Sequence, residues 1–319
     1  MKKYILKRLL IAIPTFFGIT VLVYVISNMA TGSPVAMILG GDTTITAADI
    51  QALEHELGLD QPVIVQYFRW LGQMFQGNLG MSYRSSQPVL GMIMERIGPT
   101  LLLTISATVF SMLIAIPLGI MSAYKPYTGW DYISSGLSFV GSSMPNFFAG
   151  LLLIYFFSVK LKLLPMGGMY DSAGNKTLGS LLIHMLMPMV VLAIQQIGNI
   201  LRQTRGSMLE VLNEDYIRTA RAKGLGEGRV VIKHALRNAL IPVVTVLANN
   251  LPFIIGGAVV TEQIFGWPGL GSLMVTSINS RDYPTIMGIS VFVAIFVLLG
   301  NILLDIVYGI LDPKIRHSR

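Results

Sequence analysis

Little in this chain is equipped for covalent or metal chemistry. Its 319 residues include no cysteine and four histidines, so thiolate nucleophiles, internal disulfides and cysteine-held metals are excluded. His55-Glu56 opens like a zinc-protease helix, but no second histidine follows at the required spacing, and His184, His234 and His317 lie far apart in the chain. No metal or protease site is expected from that set. No glycine is followed directly by lysine, so the phosphate-cradling GxxxxGK[ST] loop is absent and any nucleotide must bind to another chain. What remains is recognition chemistry, carried by guanidinium, ammonium and amide groups. Its densest concentration is residues 215–242, DYIRTARAKGLGEGRVVIKHALRNALIP, set between two long apolar segments.

Such a stretch is too charged to cross hydrocarbon, and the elements that must hold it are helices. Leu209, Leu212, Tyr216 and Ala220 recur at three- to four-residue spacing, while Glu210, Glu214, Arg218 and Arg221 fall on other faces. That pattern predicts an amphipathic helix lying along the membrane surface, with Glu214 supporting Arg218 one turn on. Gly224, Gly226 and Gly228 predict a bend, after which 229–236 resumes as a second short helix. A helix, turn and helix of this kind fits a partner's cleft; a solvated basic loop that only fixes topology would share the same spacing. The candidate docking residues are Asp215, Tyr216, Arg218, Thr219, Ala220, Arg221, Ala222, Lys223, Gly224 and Leu225.

The surrounding composition is that of an integral membrane protein: 53% hydrophobic, 12% charged and a mean hydropathy of +0.66, against about 25% charged residues in soluble domains. A hydrocarbon core of about 30 Å needs roughly 20 apolar residues as helix. Windows of that kind fall at 9–29, 99–124, 132–159, 181–201, 238–260 and 284–311, which predicts an all-α polytopic protein with six transmembrane helices. The chain then divides into an N-terminal transmembrane helix (1–29), an extracytoplasmic helical subdomain (30–98), a transmembrane core (99–311) with a cytoplasmic loop at 202–237, and a cytoplasmic tail (312–319).

Sidedness follows from the basic residues. With the N-terminus in the cytoplasm, sixteen of the 23 lysines and arginines lie on the inner side, and nine of the 16 acidic residues lie outside. The positive-inside rule therefore puts both termini and 202–237 in the cytoplasm. The net charge of +7 is explained by that orientation, so no nucleic-acid partner is expected. The first apolar run exceeds a signal-peptide core and lacks an A-x-A site after it, which favours a retained helix. Outside the membrane, Thr46 is a candidate N-cap for a helix that Gly58 ends, and a second helix runs from near Pro62 to Gly77. This subdomain reads equally as a lid over helix ends or as a contact for something arriving from outside.

Polar groups within the apolar windows either bond a neighbouring helix or line a passage. Asn146, Gln195, Gln196, Asn199, Asn249, Asn250 and Asn301 are the candidates. Pro188, Pro242 and Pro252, with Gly256 and Gly257, mark kinks that serve packing or gating. Asp305, near the inner end of the last span, is expected to pair with a surface Lys or Arg rather than to relay protons.

Several strings carry a family resemblance over nearly the whole chain: LGLDQPVIVQYFRWLGQMFQGNLGMSYR at 57–84, MPNF at 144–147, SMLEVLNEDYIRTARAKG at 207–224, EQIFGWPGLG at 262–271, RDYP at 281–284 and DIVYGILDPKI at 305–315. The 215–225 segment resembles the EAA loop of ABC importer permeases, in the form found in the dipeptide, oligopeptide and nickel subfamily. Arg218 and Thr219 stand where the general consensus has Glu and Ala, and Arg237 where it has Pro, whereas Ala220 and Gly224 match. The resemblance implies a type I (MetI-like) permease fold in a bacterial or archaeal plasma membrane. It also implies a second homologous permease, two cytoplasmic ABC ATPases that carry the ATP and Mg, and an extracytoplasmic solute-binding protein. The chain itself would bind no cofactor and catalyse nothing. Peptides are the expected substrate, with a nickel complex as the alternative. An ion-coupled secondary transporter would show midplane ionisable residues and inverted repeats, and a channel a filter or charged ring; neither pattern is visible.

Overall fold

Backbone polar groups have no water to bond to in hydrocarbon, so apolar runs of this length close their hydrogen bonds internally as helices. The computed structural model describes residues 2–29, 51–52, 55, 58–171, 176–249 and 258–311, and their side chains except at 2–7, 248–249 and 303–311. In chain order the helices are α1 (Lys2–Met29), α2 (Val63–Phe75), α3 (Val89–Tyr124), α4 (Gly129–Ser143), α5 (Asn146–Leu153) with a π-helical extension (Ile154–Lys160), and α6 (Leu178–Leu212). They continue with α7 (Asp215–Ala222), the single turn α8 (Glu227–Arg229), a π-helical stretch (Val230–Ala235), α9 (Leu236–Asn249), α10 (Val259–Ile264), α11 (Leu270–Asn279) and α12 (Tyr283–Leu311). Among the described residues there is no strand, only an isolated bridge between Met81 and Pro88.

Among the described residues five helices are long and apolar enough to span a membrane, within Arg8–Met29, Val89–Tyr124, Leu178–Leu212, Glu227–Leu247 and Tyr283–Ile302, and a bent helix pair counted as one span makes six. The expected span 132–159 is not one helix. It breaks into α4 and the α5 segment, bent by 104°. Pro145 is the cause: it has no N–H to donate and forces Met144 into an extended conformation (φ −82°, ψ 121°), so α4 stops and α5 starts afresh. Helix α3 begins at Val89, ten residues before the expected span, and α6 runs past 201 to Leu212. The candidate N-cap Thr46 and Pro252, Gly256 and Gly257 lie outside the described residues, as does the side chain of Asp305.

The chain forms two units. One comprises Met1–Pro99, Gly269–Gly309 and Lys314–Arg319. Its core joins Leu71 and Met74 of α2 to Val291 of α12, with Phe16, Tyr67, Trp70 and Leu79 packed around them. Tyr67 bonds Thr20 across α1 and α2 (2.9 Å), and the Tyr24 hydroxyl donates to Gln66 Oε1 (3.3 Å). Asp282 organises the polar part of this unit. Its carboxylate is buried and accepts from Ser82 Oγ (2.5 Å), the Tyr83 amide (3.0 Å) and Thr285 Oγ1 (2.8 Å), which fixes the loop before α3 to the start of α12. Burial pushes the neighbouring Tyr83 phenol up to about 12, with the Asp282 charge adding to the effect.

The other unit comprises Thr100–Pro268 and Ile310–Pro313. Helix α6 is its axis, started by Thr177, whose hydroxyl accepts from the Ser180 amide. Against α6 pack α3 and α9, through Ala115, Ile200, Leu201 and Val243. Helix α4 approaches so closely that a Cβ on Gly198 would lie 2.8 Å from the Ser138 carbonyl oxygen. Ser138 Oγ uses this proximity to bond the Gly198 carbonyl oxygen (2.8 Å).

Candidate functional site

The basic stretch is assembled from three helix ends. Helix α6 stops at Leu212 because Asn213 folds its side chain back onto the Leu209 carbonyl (2.9 Å) and Glu214 turns extended (φ −70°, ψ 147°). The expected amphipathic helix through 209–220 is therefore two pieces, the tail of α6 and a separate α7. Helix α7 ends in a Schellman turn: the Gly224 amide bonds the Arg221 carbonyl (2.9 Å) and the Leu225 amide the Ala220 carbonyl (3.4 Å). Gly224 sits at φ +77°, the left-handed conformation that this closure requires. Of the three glycines only Gly224 breaks the helix; Gly226 caps the next one in an extended conformation, and Gly228 lies within α8. The second helix is also not short or separate, because α8 and the π-helical stretch lead directly into α9.

One face of this element is anchored and the other is free. Ile217 and Ala220, one turn apart, are buried in a cluster with Met208 of α6, Ala123 of α3, Val230, Val231 and Ala235 of the π-helical stretch, and Ala239 of α9. Helix α7 is thus held against the ends of three long helices. Of the ten candidate docking residues, Ala220 is buried and Leu225 half-buried, while Asp215, Tyr216, Arg218, Thr219, Arg221, Ala222, Lys223 and Gly224 are exposed.

The charges are ordered rather than diffuse. Arg221 spans the turn to Glu227 with two bonds (Nε to Oε1 2.8 Å, Nη2 to Oε2 3.3 Å) and so ties α7 to α8. Arg218 pairs with Asp215 (3.2 Å), three residues back, and not with Glu214 as the spacing predicted, since Glu214 precedes the helix. Tyr216 accepts from Asn238 Nδ2 of α9 (2.8 Å). Lys223, Arg229 and Lys233 make no ion pair among the described residues, so the surface keeps a cationic excess. This arrangement is an exposed, positively charged ledge anchored on α3, α6 and α9.

The candidate pathway amides mostly bond other parts of the chain. Asn146 Nδ2 donates to Gln195 Oε1 (3.4 Å), linking the start of α5 to α6 at the α4 break. Gln196 is buried and accepts from Ser111 of α3 (3.5 Å), while Asn199 accepts from Arg202 (2.9 Å) on its own helix. Asn301 is exposed. The Asn249 side chain and Asn250 lie outside the described residues.

Residue-by-residue reading missed a buried ion pair beside the ledge. Asp131, in the first turn of α4, receives both arms of Arg205 of α6 (Nε to Oδ1 2.7 Å, Nη2 to Oδ2 3.0 Å), the Ser122 hydroxyl of α3 (2.5 Å) and the Tyr127 amide (2.9 Å). The one signal in the sequence was an acid at the edge of an apolar window. A second missed group is Glu262, fully buried, whose Oε1 accepts from Thr100 Oγ1 (2.6 Å).

Multiple apolar spans carrying an anchored helix-turn-helix define an all-α polytopic membrane protein. The chain belongs to the binding-protein-dependent transport system inner membrane components, whose family pattern matches residues 115–317, with the N-terminal companion family matching 1–108. It is thus the inner-membrane component of an ABC importer. The oligopeptide transport system permease protein AppB of Bacillus subtilis is 45% identical over 318 residues, covering 99% of this chain and 100% of that protein. The dipeptide transport system permease protein DppB of Escherichia coli K12 is 40% identical over 340 residues, with complete coverage of both. The di/tripeptide transport system permease protein DppB of Pseudomonas aeruginosa is 40% identical over 337 residues, again covering both chains fully.

Proposed function

We propose that this chain, paired with a second homologous permease in a bacterial or archaeal plasma membrane, forms the pathway by which oligopeptides or dipeptides enter the cell. Two cytoplasmic ATPases dock on the 215–225 ledge and carry the ATP and Mg, and an extracytoplasmic binding protein delivers the peptide to the opposite face. Both termini and 202–237 lie in the cytoplasm, and 30–98 lies outside. The observation that carries this reading is the two-sidedness of α7: Ile217 and Ala220 are locked into the helix ends while Arg218, Thr219, Arg221 and Lys223 face outward. Closure of the ATPase pair on nucleotide displaces that ledge as a lever, and the spans rock between inward-open and outward-open states. The peptide assignment is supported by the names of the full-length relatives. Among the amides, the half-buried Asn146–Gln195 pair at the α4 break is the one assigned to the pathway.

The reading is tested by purifying the chain from native membranes in mild detergent and identifying co-purifying proteins and binding-protein ligands by mass spectrometry. A sister permease, ATPases and a peptide-loaded binding protein are expected. A homo-oligomer with no ATPase would refute it.

A further inference from the structure

The geometry points to Asp131 as a positioning residue for energy coupling. It fastens the ends of α3, α4 and α6 into one body beside the ledge, so that a displacement of α7 reaches α4 and the corner where α4 ends. This inference rests on the reading of 215–225 as the ATPase docking surface.

Four donors converge on one carboxylate. Arg205 takes both oxygens from α6, Ser122 Oγ takes Oδ1 from α3, and the Tyr127 amide takes Oδ2 from the turn between α3 and α4. Asp131 is 5% exposed, and Arg205 is reached by solvent only in part, at 31% of its side chain. Asp131 is thus shielded while Arg205 keeps a solvent-facing side, and a two-armed guanidinium fixes both distance and orientation. The turn it holds is strained: Tyr127 has φ +62°, a conformation a bulky side chain adopts only when its surroundings impose it.

Position along the chain gives the cage its consequence. Arg205 precedes Met208, the buried α6 residue of the ledge cluster, by a single turn, and Ser122 precedes Ala123, the buried α3 residue of the same cluster. The ledge cluster contains no residue of α4. Helix α4 is joined to α6 farther along by Ser138 and Gly198, so with the cage in place α4 and α6 move as one piece, and α3 is held to both. Without the cage, α3 and α6 still feel α7, and α4 stays packed on α6 through Ser138 and Gly141 but loses the charged tie that holds its first turn to α3 and α6.

The test uses the whole importer, with both permeases, the ATPases and the binding protein, in proteoliposomes, and reads peptide moved per ATP hydrolysed. Asp131→Asn places an amide donor against guanidinium donors and opens the cage. The expected result is a drop in peptide per ATP of roughly tenfold or more, in the usual range of site-to-site coupling, with assembled complex and binding-protein-independent ATPase unchanged. Arg205→Lys keeps the charge but loses the second arm, and an intermediate ratio is expected; if Asp131→Asn does not assemble, this variant decides by the same ratio. An unchanged ratio in the variants, with only yield or thermal stability reduced, makes the cage a static brace and overturns the inference. Wild-type uptake that continues without ATP would overturn the docking reading itself, a result separate from a coupled wild type beside equally coupled variants.

Discussion

At residue 224 the backbone, not crowding, excludes other side chains. No atom lies within 4 Å of where a Cβ would stand, but φ is +77°, and an L residue there costs about 1–2 kcal/mol. Gly224→Val should leave insertion and folding intact while loosening the turn that aims Arg221 and Lys223; ATPase capture and transport should both fall, as read by co-purification and uptake. Asp282 behaves differently, because its three donors are left without an acceptor in Asp282→Ala. A loss of about 2–4 kcal/mol is expected from those orphaned groups, measurable as a lower melting temperature in detergent. Tyr83 adds a pH signature. Its folded value of about 12 exceeds the ordinary 10.0, so its contribution is complete below pH 10 and is lost as pH rises through 12. Tyr83→Phe should remove that alkaline loss. At this scale the sequence revealed which residue types mattered but not their partners. The glycine trio was visible, but only geometry singles out Gly224. Asp131 and Arg205 stand 74 residues apart, and no local spacing joins them.

Among the elements, the spans were legible because hydrophobic length is a local property. The breaks were not, because they depend on single backbone groups. Pro145 lay in plain view within 132–159, yet the window stays apolar on both sides of it, and only the extended Met144 makes it a corner. The same holds for Asn213 and Glu214, whose caps split an amphipathic pattern that runs on without interruption. Helix contact makes its own prediction. At Gly198 a methyl group would meet the Ser138 backbone oxygen at 2.8 Å. Backbone yields poorly, so Gly198→Ala should cost about 1–3 kcal/mol through overpacking. Gly136, on the exposed side of α4, has nothing within 4 Å, and Gly136→Ala should be neutral or slightly stabilising. Melting the two variants side by side separates packing from helix propensity.

Across the whole molecule, the distribution of charge and apolar length carried the class of protein, and the long strings carried its family. The pathway was the least legible part, since an amide in an apolar window reads alike whether it bonds a helix or faces a solute. The absence of cysteine makes sidedness directly measurable. Lys223→Cys should react with an impermeant maleimide only from the cytoplasmic face, and Gln87→Cys only from outside. The most direct test of the central claim is uptake of a labelled peptide by proteoliposomes holding the complete importer, with ATP supplied or withdrawn while the ion gradient is held constant. Uptake that stops when ATP is removed is the predicted result; uptake that continues on the gradient alone would contradict the account.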